Sequence, residues 1–172
     1  MAARSARSSI WRNTLAKTLR LFLDANAIFA AAYSRTGAAR ELFVLALEGE
    51  VCLLTNRDVL LEAERNLKQK APEAIPLFRL LMELVSPEIV PDPEPELLRA
   101  VLEFVIAKDA IVVAGAIAGK ADYLVTFDRK HLIDLPEVSK RSSLRIVLPE
   151  VVLRVVRGHG KTRTNCDGSE AD

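Results

Sequence analysis

The sequence predicts a three-layer α/β/α domain built on a mostly parallel central sheet. Three observations lead there. Short runs of strand-forming residues alternate with longer runs of helical period, the pattern of repeated strand–helix units. The chain has 172 residues, half of them apolar and 27% charged, which suits one domain with a real core. No apolar run approaches the roughly 20 residues that a membrane-spanning helix needs. Crossovers between parallel strands should be right-handed.

Residues 1–19 are rich in Ser, Arg and Ala and show almost no apolar period, so they read as a basic, disordered arm outside the fold. The same composition fits an organellar transit peptide or a start codon assigned too early. The domain is expected over residues 20–156, followed by a polar tail over 157–172. Leu21-Phe22-Leu23 reads as a buried first strand that ends in Asp24-Ala25-Asn26. Ala27 to Tyr33 is helical, Ser34 to Gly37 a break, and Ala38 to Leu47 a second helix that Gly49 ends. Val51 to Leu54 is the second strand, and Thr55 or Asn56 can cap the helix that follows. That helix carries Asp58, Glu62 and Glu64 and ends near Lys70.

Pro72 and Pro76 bracket a turn into a helix ending at Val85, and Ile89-Val90 is a short third strand. The run Pro91-Asp92-Pro93-Glu94-Pro95 is a stiff connector to a helix over Glu96 to Ile106. Asp109 opens the next helix, rich in small residues to Ala118, with Gly119-Lys120 as its stop. Tyr123 to Thr126 is a strand, Asp128 stands at its end, and Arg129-Lys130-His131 leaves it as a solvated polar turn. Leu144 to Leu148 is the last strand, and Pro149 opens a closing helix to about Val156.

Charge is unevenly spread. Residues 1–20 hold five Arg and Lys and no acid, while the charges of residues 157–172 cancel. Against the net charge of +1, that leaves −4 for residues 21–156. A surface that gripped nucleic acid throughout would be basic, so such a role needs local basic patches or bridging metal ions. The two cysteines, Cys52 and Cys166, form no metal-spacing pair and no disulfide framework, which fits a reducing, cytoplasmic setting.

Ligands of open α/β sheets bind beyond the carboxyl ends of the strands. Asp24 and Asp128 follow directly on strands and fall at that edge. Glu62 lies two turns into a helix that starts there. Asp109 opens a helix that runs antiparallel to the strand ending at Asp128, so it belongs to the same edge. Asp122 precedes its strand and belongs to the opposite edge. Four clustered carboxylates without a cationic partner repel one another and imply a reason to be together. Oxygen ligands suit Mg²⁺ or Mn²⁺, which bind phosphate oxygens and lower the pKa of a bound water. No His or Cys is well placed to join them.

Singly, Asp24 reads as a helix cap, Asp109 as a first-turn acid and Asp128 as a turn former. Glu64 competes with Glu62, since both lie at the flank of the apolar stripe.

With Leu-Asp-Ala-Asn at the first strand, Glu62-Ala-Glu-Arg-Asn-Leu67, Asp109 before an Ala-rich helix, Thr126-Phe-Asp128, and Leu148-Pro149-Glu150, the chain resembles the PIN-domain nucleases. The similarity covers about residues 20–155 and is nearest to the toxin branch of bacterial toxin–antitoxin pairs. It implies Mg²⁺- or Mn²⁺-dependent cleavage of RNA, usually single-stranded, leaving a 5′-phosphate. It implies Asp24, Glu62, Asp109 and Asp128 as metal ligands, with Asn26 and Thr126 as polar helpers. An antitoxin protein and a second copy of the chain, as a homodimer, are the partners it suggests. Members often carry Asp or Gly where Phe127 stands, a departure that leaves the four acids intact.

Two other classes compete. A phosphoacceptor receiver domain needs an acidic pair after the first strand, where Asp24 is followed by Ala25 and Asn26. A binding module of the same fold that has lost catalysis is disfavoured by the intact acids. Dinucleotide binding fails for want of a Gly-rich turn after the first strand. Charge repulsion predicts that Asp128→Asn leaves the metal-free protein as stable as the parent or more so.

Overall fold

Strands β1 (Leu19–Leu23), β2 (Val51–Thr55), β3 (Glu88–Ile89), β4 (Tyr123–Val125) and β5 (Arg145–Val147) form one sheet in the order β3-β2-β1-β4-β5. Every pairing is parallel. The computed structural model describes residues 17–161, with side chains to Gly158. The arm over 1–16 and the tail from 162 lie outside the described residues, as does Cys166. Cys52 is a free thiol.

Helices α1 (Ala25–Tyr33), α2 (Ala38–Leu47), α3 (Arg57–Lys70), α4 (Ile75–Val85) and α8 (Pro149–Lys161) form one connected group. Helix α6 (Ala107–Ala118) packs with α5 (Pro95–Leu102) and lies on β2 and β4. The sheet is thus flanked by helices in three layers. A strand covered on both faces must be apolar throughout, and Leu21, Phe22 and Leu23 are at most 1% exposed. Helix α6 comes close because its residues are small: Val113, Ala114 and Ala116 are fully buried. No helix among the described residues is long and apolar enough to cross a membrane.

Strand order decides where a site forms. From β1, the chain builds outward to β2 and β3 on one side, then returns to place β4 and β5 on the other. The order reverses between β1 and β4, and the crevice beyond the carboxyl ends of the strands opens there. Leu23 is paired with Val125, so Asp24 and Thr126 emerge side by side, and the Asp24 N–H donates to Val125 O at 3.0 Å. A receiver domain has the order 2-1-3-4-5, which this sheet does not share. Asp122 lies at the opposite edge as expected: its carboxylate accepts from the Arg20 N–H at 2.8 Å and from Lys17 Nζ at 2.9 Å, at the start of β1.

Several boundaries differ from the sequence-based expectation. Strand β1 begins at Leu19, which pairs with Val51, so the described fold reaches into the expected arm. Asp109 is the third residue of α6 rather than its first. Helix α5 stops at Leu102, short of Ile106. Helix α7 (Pro136–Ser142) was not foreseen. Its seven residues alternate Pro, acids, bases and Ser with one buried apolar residue, Val138, too little pattern to signal a helix. Helix α8 runs past Gly158 to Lys161.

Candidate metal centre

Asp24 is the N-cap of α1, and its side chain serves two purposes. Oδ1 accepts the Ala25 N–H at 2.7 Å, a cap contact. Oδ2 accepts the Thr126 hydroxyl at 2.6 Å and the Asn26 amide at 3.0 Å. Asn26 also reaches the backbone after β4, its Oδ1 accepting the Phe127 N–H at 3.0 Å. The Thr126 oxygen in turn accepts the Asp128 N–H at 3.0 Å. Asn26 and Thr126 therefore clamp the two strand ends together. Burial pushes the Asp24 carboxyl above its ordinary range, against the pull of the Thr126 and Ala25 hydrogen bonds. The charges of Glu62 and Asp109 push the same way as burial.

Asp109 faces this group from α6. Its Oδ2 is buried and makes no hydrogen bond among the described residues. The closest ammonium, Lys108 Nζ, is 3.8 Å away, too far to donate one. Burial raises the Asp109 pKa; Lys108 opposes that, and Asp128 adds to it.

Asp128 is better served. The chain leaves β4 in one wide turn over Arg129–Ile133, with the Ile133 N–H donating to Asp128 O and the Asp134 N–H to Arg129 O. Such a turn closes five residues on and often occurs at functional sites. It brings the His131 N–H to 2.9 Å from Asp128 Oδ1 and His131 Nδ1 to 3.0 Å from Oδ2. Burial works to raise the Asp128 pKa, but the His131 N–H and ring, with Lys108, outweigh it and hold the carboxyl below its ordinary range.

Glu62 and Asn66, one turn apart on α3, complete the wall of a cleft of about 180 Å³ lined also by Asp24, Asn26, Lys108, Asp109 and Asp128. Glu64 is engaged elsewhere, 3.0 Å from Lys68 and 3.8 Å from Arg79. The fold thus brings together the four acids expected from the sequence.

Two expectations need correction. The acids do have a cationic partner: Lys108 Nζ lies 3.7 Å from Asp128 and 3.8 Å from Asp109. And His131 is not a solvated turn residue, because the wide turn folds its ring back onto Asp128. Asp109, Asp128 and His131 each bring one donor atom to within 4.8 Å of the other two. Asn66 was also missed; its spacing of four from Glu62 on one helix face was the available signal.

The residues fit a divalent ion. A buried carboxylate oxygen with no partner is uncommon in a folded chain; among the described residues Asp109 Oδ2 is one, on a residue that lines the cleft with the other acids. Mostly oxygen donors, with one imidazole beside them, suit hard or borderline cations such as Mg²⁺ and Mn²⁺.

The sequence matches the family described as PIN domain over residues 20–130. Among solved structures, that of PAE2754 from Pyrobaculum aerophilum aligns with a TM-score of 0.56 at 21% identity, over 83% of this chain and 99% of that one. At that identity the likeness concerns the fold alone. No curated protein matches the chain.

Proposed function

Because the chain belongs to the PIN-domain family, whose members are typically nucleases, we propose that it is a divalent-metal-dependent endoribonuclease. The observation that carries this reading is the convergence of Asp24, Glu62, Asp109 and Asp128 on one cleft, with a buried Asp109 oxygen that makes no hydrogen bond among the described residues. Mg²⁺ or Mn²⁺ held by these acids would neutralise phosphate charge and lower the pKa of a water at the scissile bond.

The chain's own residues prepare that step. Thr126 and Asn26 fix the Asp24 carboxylate. His131 fixes that of Asp128 through its backbone and its ring. Hydrogen bonds that orient a carboxylate in this way sharpen a metal site. The resemblance noted from the sequence supports single-stranded RNA as the substrate. Sequence resemblance supports the further reading that the protein is the toxin of a toxin–antitoxin pair, with an antitoxin as partner, a homodimer as its assembly and the cytoplasm as its place.

The test is incubation of the purified protein with single-stranded RNA in Mg²⁺, in Mn²⁺ and in chelator. Cleavage in either metal that stops in chelator, and that Glu62→Gln abolishes, is the expected result. No cleavage in any divalent metal, together with retained RNA binding, would favour a binding module of the same fold. Cleavage that continues in chelator would remove the metal from the mechanism.

A further inference from the structure

We infer that Lys108 is a movable counter-ion: its ammonium balances the acids while the cleft holds no metal, and passes to the substrate phosphate once metal binds. This rests on the metal-nuclease reading above. Lys108 is the one cationic side chain lining the cleft among the described residues. Its Nζ lies between two carboxylates, 3.8 Å from Asp109 Oδ2 and 3.7 Å from Asp128 Oδ2, yet at hydrogen-bond distance from neither. Its side chain is 60% exposed. The ammonium is therefore held in place by the field of the acids rather than by a fixed geometry.

That arrangement has a direction built into it. A divalent ion carries twice the charge and coordinates the same oxygens directly, so it displaces an ammonium that merely hovers beside them. Like charges in one small cleft then drive the two cations apart. The Lys108 backbone cannot leave, because it sits in the first turn of α6 next to Asp109. Its four-carbon stem lets Nζ swing to the mouth of the cleft, where a phosphate drawn to the metal supplies the next anion. A compact ammonium on a flexible stem suits such a transfer better than the rigid fork of Arg.

The inference predicts effects of opposite sign from one substitution. In Lys108→Gln, Mn²⁺ should bind several-fold tighter than in the parent, since the competing cation is gone. A nucleoside 5′-monophosphate, a phosphate that cannot be cleaved further by this reaction, should bind the Mn²⁺-saturated variant several-fold more weakly. Both affinities are read by titration calorimetry, Mn²⁺ alone first. Lys108→Arg keeps the charge and should stay close to the parent in Mn²⁺ affinity. Lys68→Gln, whose partner Glu64 lies outside the cleft lining, should move neither affinity. Unchanged or weaker Mn²⁺ binding by Lys108→Gln, with the fold intact by circular dichroism, overturns the inference. Tighter Mn²⁺ binding with unchanged nucleotide binding also overturns it, leaving Lys108 as a counter-ion without a role toward phosphate. A parent protein that binds no divalent metal would overturn the metal-nuclease reading, and this inference with it.

Discussion

Asp109 and Asp128 stand in one cleft but carry opposite electrostatic burdens. Asp109 is pushed up by burial, so the fold disfavours its charge; Asp128 is held down by His131 and Lys108, so the fold favours its charge. The expectation that neutralising Asp128 relieves the metal-free protein is therefore revised: the relief belongs to Asp109. In chelator, Asp109→Asn should be more stable than the parent by about 1 kcal/mol at neutral pH. A raised pKa weakens stability above the folded value and restores it as pH falls toward the ordinary carboxylate range, so this gain should vanish in acid. Asp128→Asn should be less stable than the parent at neutral pH. A lowered pKa contributes stability that is lost only as pH falls through the folded value, so that deficit should also close in acid. If the acids bind metal as proposed, saturating Mn²⁺ should reverse the order of Asp109→Asn and parent, because of the two only the parent keeps the full set of acids and gains RT ln(1 + [L]/Kd). Asp122→Asn, at the other edge, should show no reversal. Thermal unfolding of the four proteins with and without metal decides it, and an Asp109→Asn protein less stable than the parent in chelator would contradict the assignment.

At the scale of an element, α6 is the part on which the site depends. It carries Lys108 and Asp109 at one end, and Gly115 sets how closely it approaches the sheet. A Cβ at Gly115 would lie 2.8 Å from Asn56 Nδ2 and 3.0 Å from Phe22 Cζ. Phe22 is fully buried in β1. Asn56 caps α3 through its Oδ1 on the Val59 N–H, and its Nδ2 donates to Ile111 O at 3.2 Å. Neither neighbour has room to retreat. Ala in place of a helical Gly ordinarily gains about 1 kcal/mol, but Gly115→Ala should lose about 1–3 kcal/mol through overpacking. It should also weaken metal binding, since moving α6 moves Asp109. Urea unfolding and Mn²⁺ titration measure the two effects, and a stabilised variant would show slack at this contact. The small residues of α6 were legible in the sequence; what Gly115 packs against was not, because Phe22 and Asn56 are remote in the chain.

At the scale of the molecule, the described fold begins and ends beyond the boundaries expected from composition. Leu19 pairs in β1 and Lys17 bonds Asp122, while α8 runs to Lys161. A fragment of residues 17–161 should melt cooperatively within a few degrees of the full-length protein. A fragment starting at Arg20 should melt lower, having lost the Leu19 pairing and the Lys17 contact, though an exposed ion pair alone contributes only about 0–1 kcal/mol. Equal melting of both fragments would make the first residue of β1 dispensable. Removing residues 1–16 should weaken RNA binding and flatten its salt dependence, because the arm holds cations against a domain of net negative charge.

The amino-acid sequence by itself determined the layered α/β class, the order of the strands and of every helix but α7, and three of the four acids of the cleft. These follow from local rules: apolar runs set strands, caps and small residues set helices, and an acid directly after a strand must emerge at its carboxyl edge. The separate readings of Asp24 as a cap and Asp128 as a turn former also hold locally, while both residues line the cleft. What tertiary structure decided is everything that depends on which residues meet across elements. It chose Glu62 for the cleft by giving Glu64 to Lys68 and Arg79, and it turned His131 onto Asp128 through a wide turn. It set Lys108 between two carboxylates and left an Asp109 oxygen with no hydrogen bond among the described residues. The reason is geometric: strand order and register fix those distances, and neither is written in the spacing of residues along one segment.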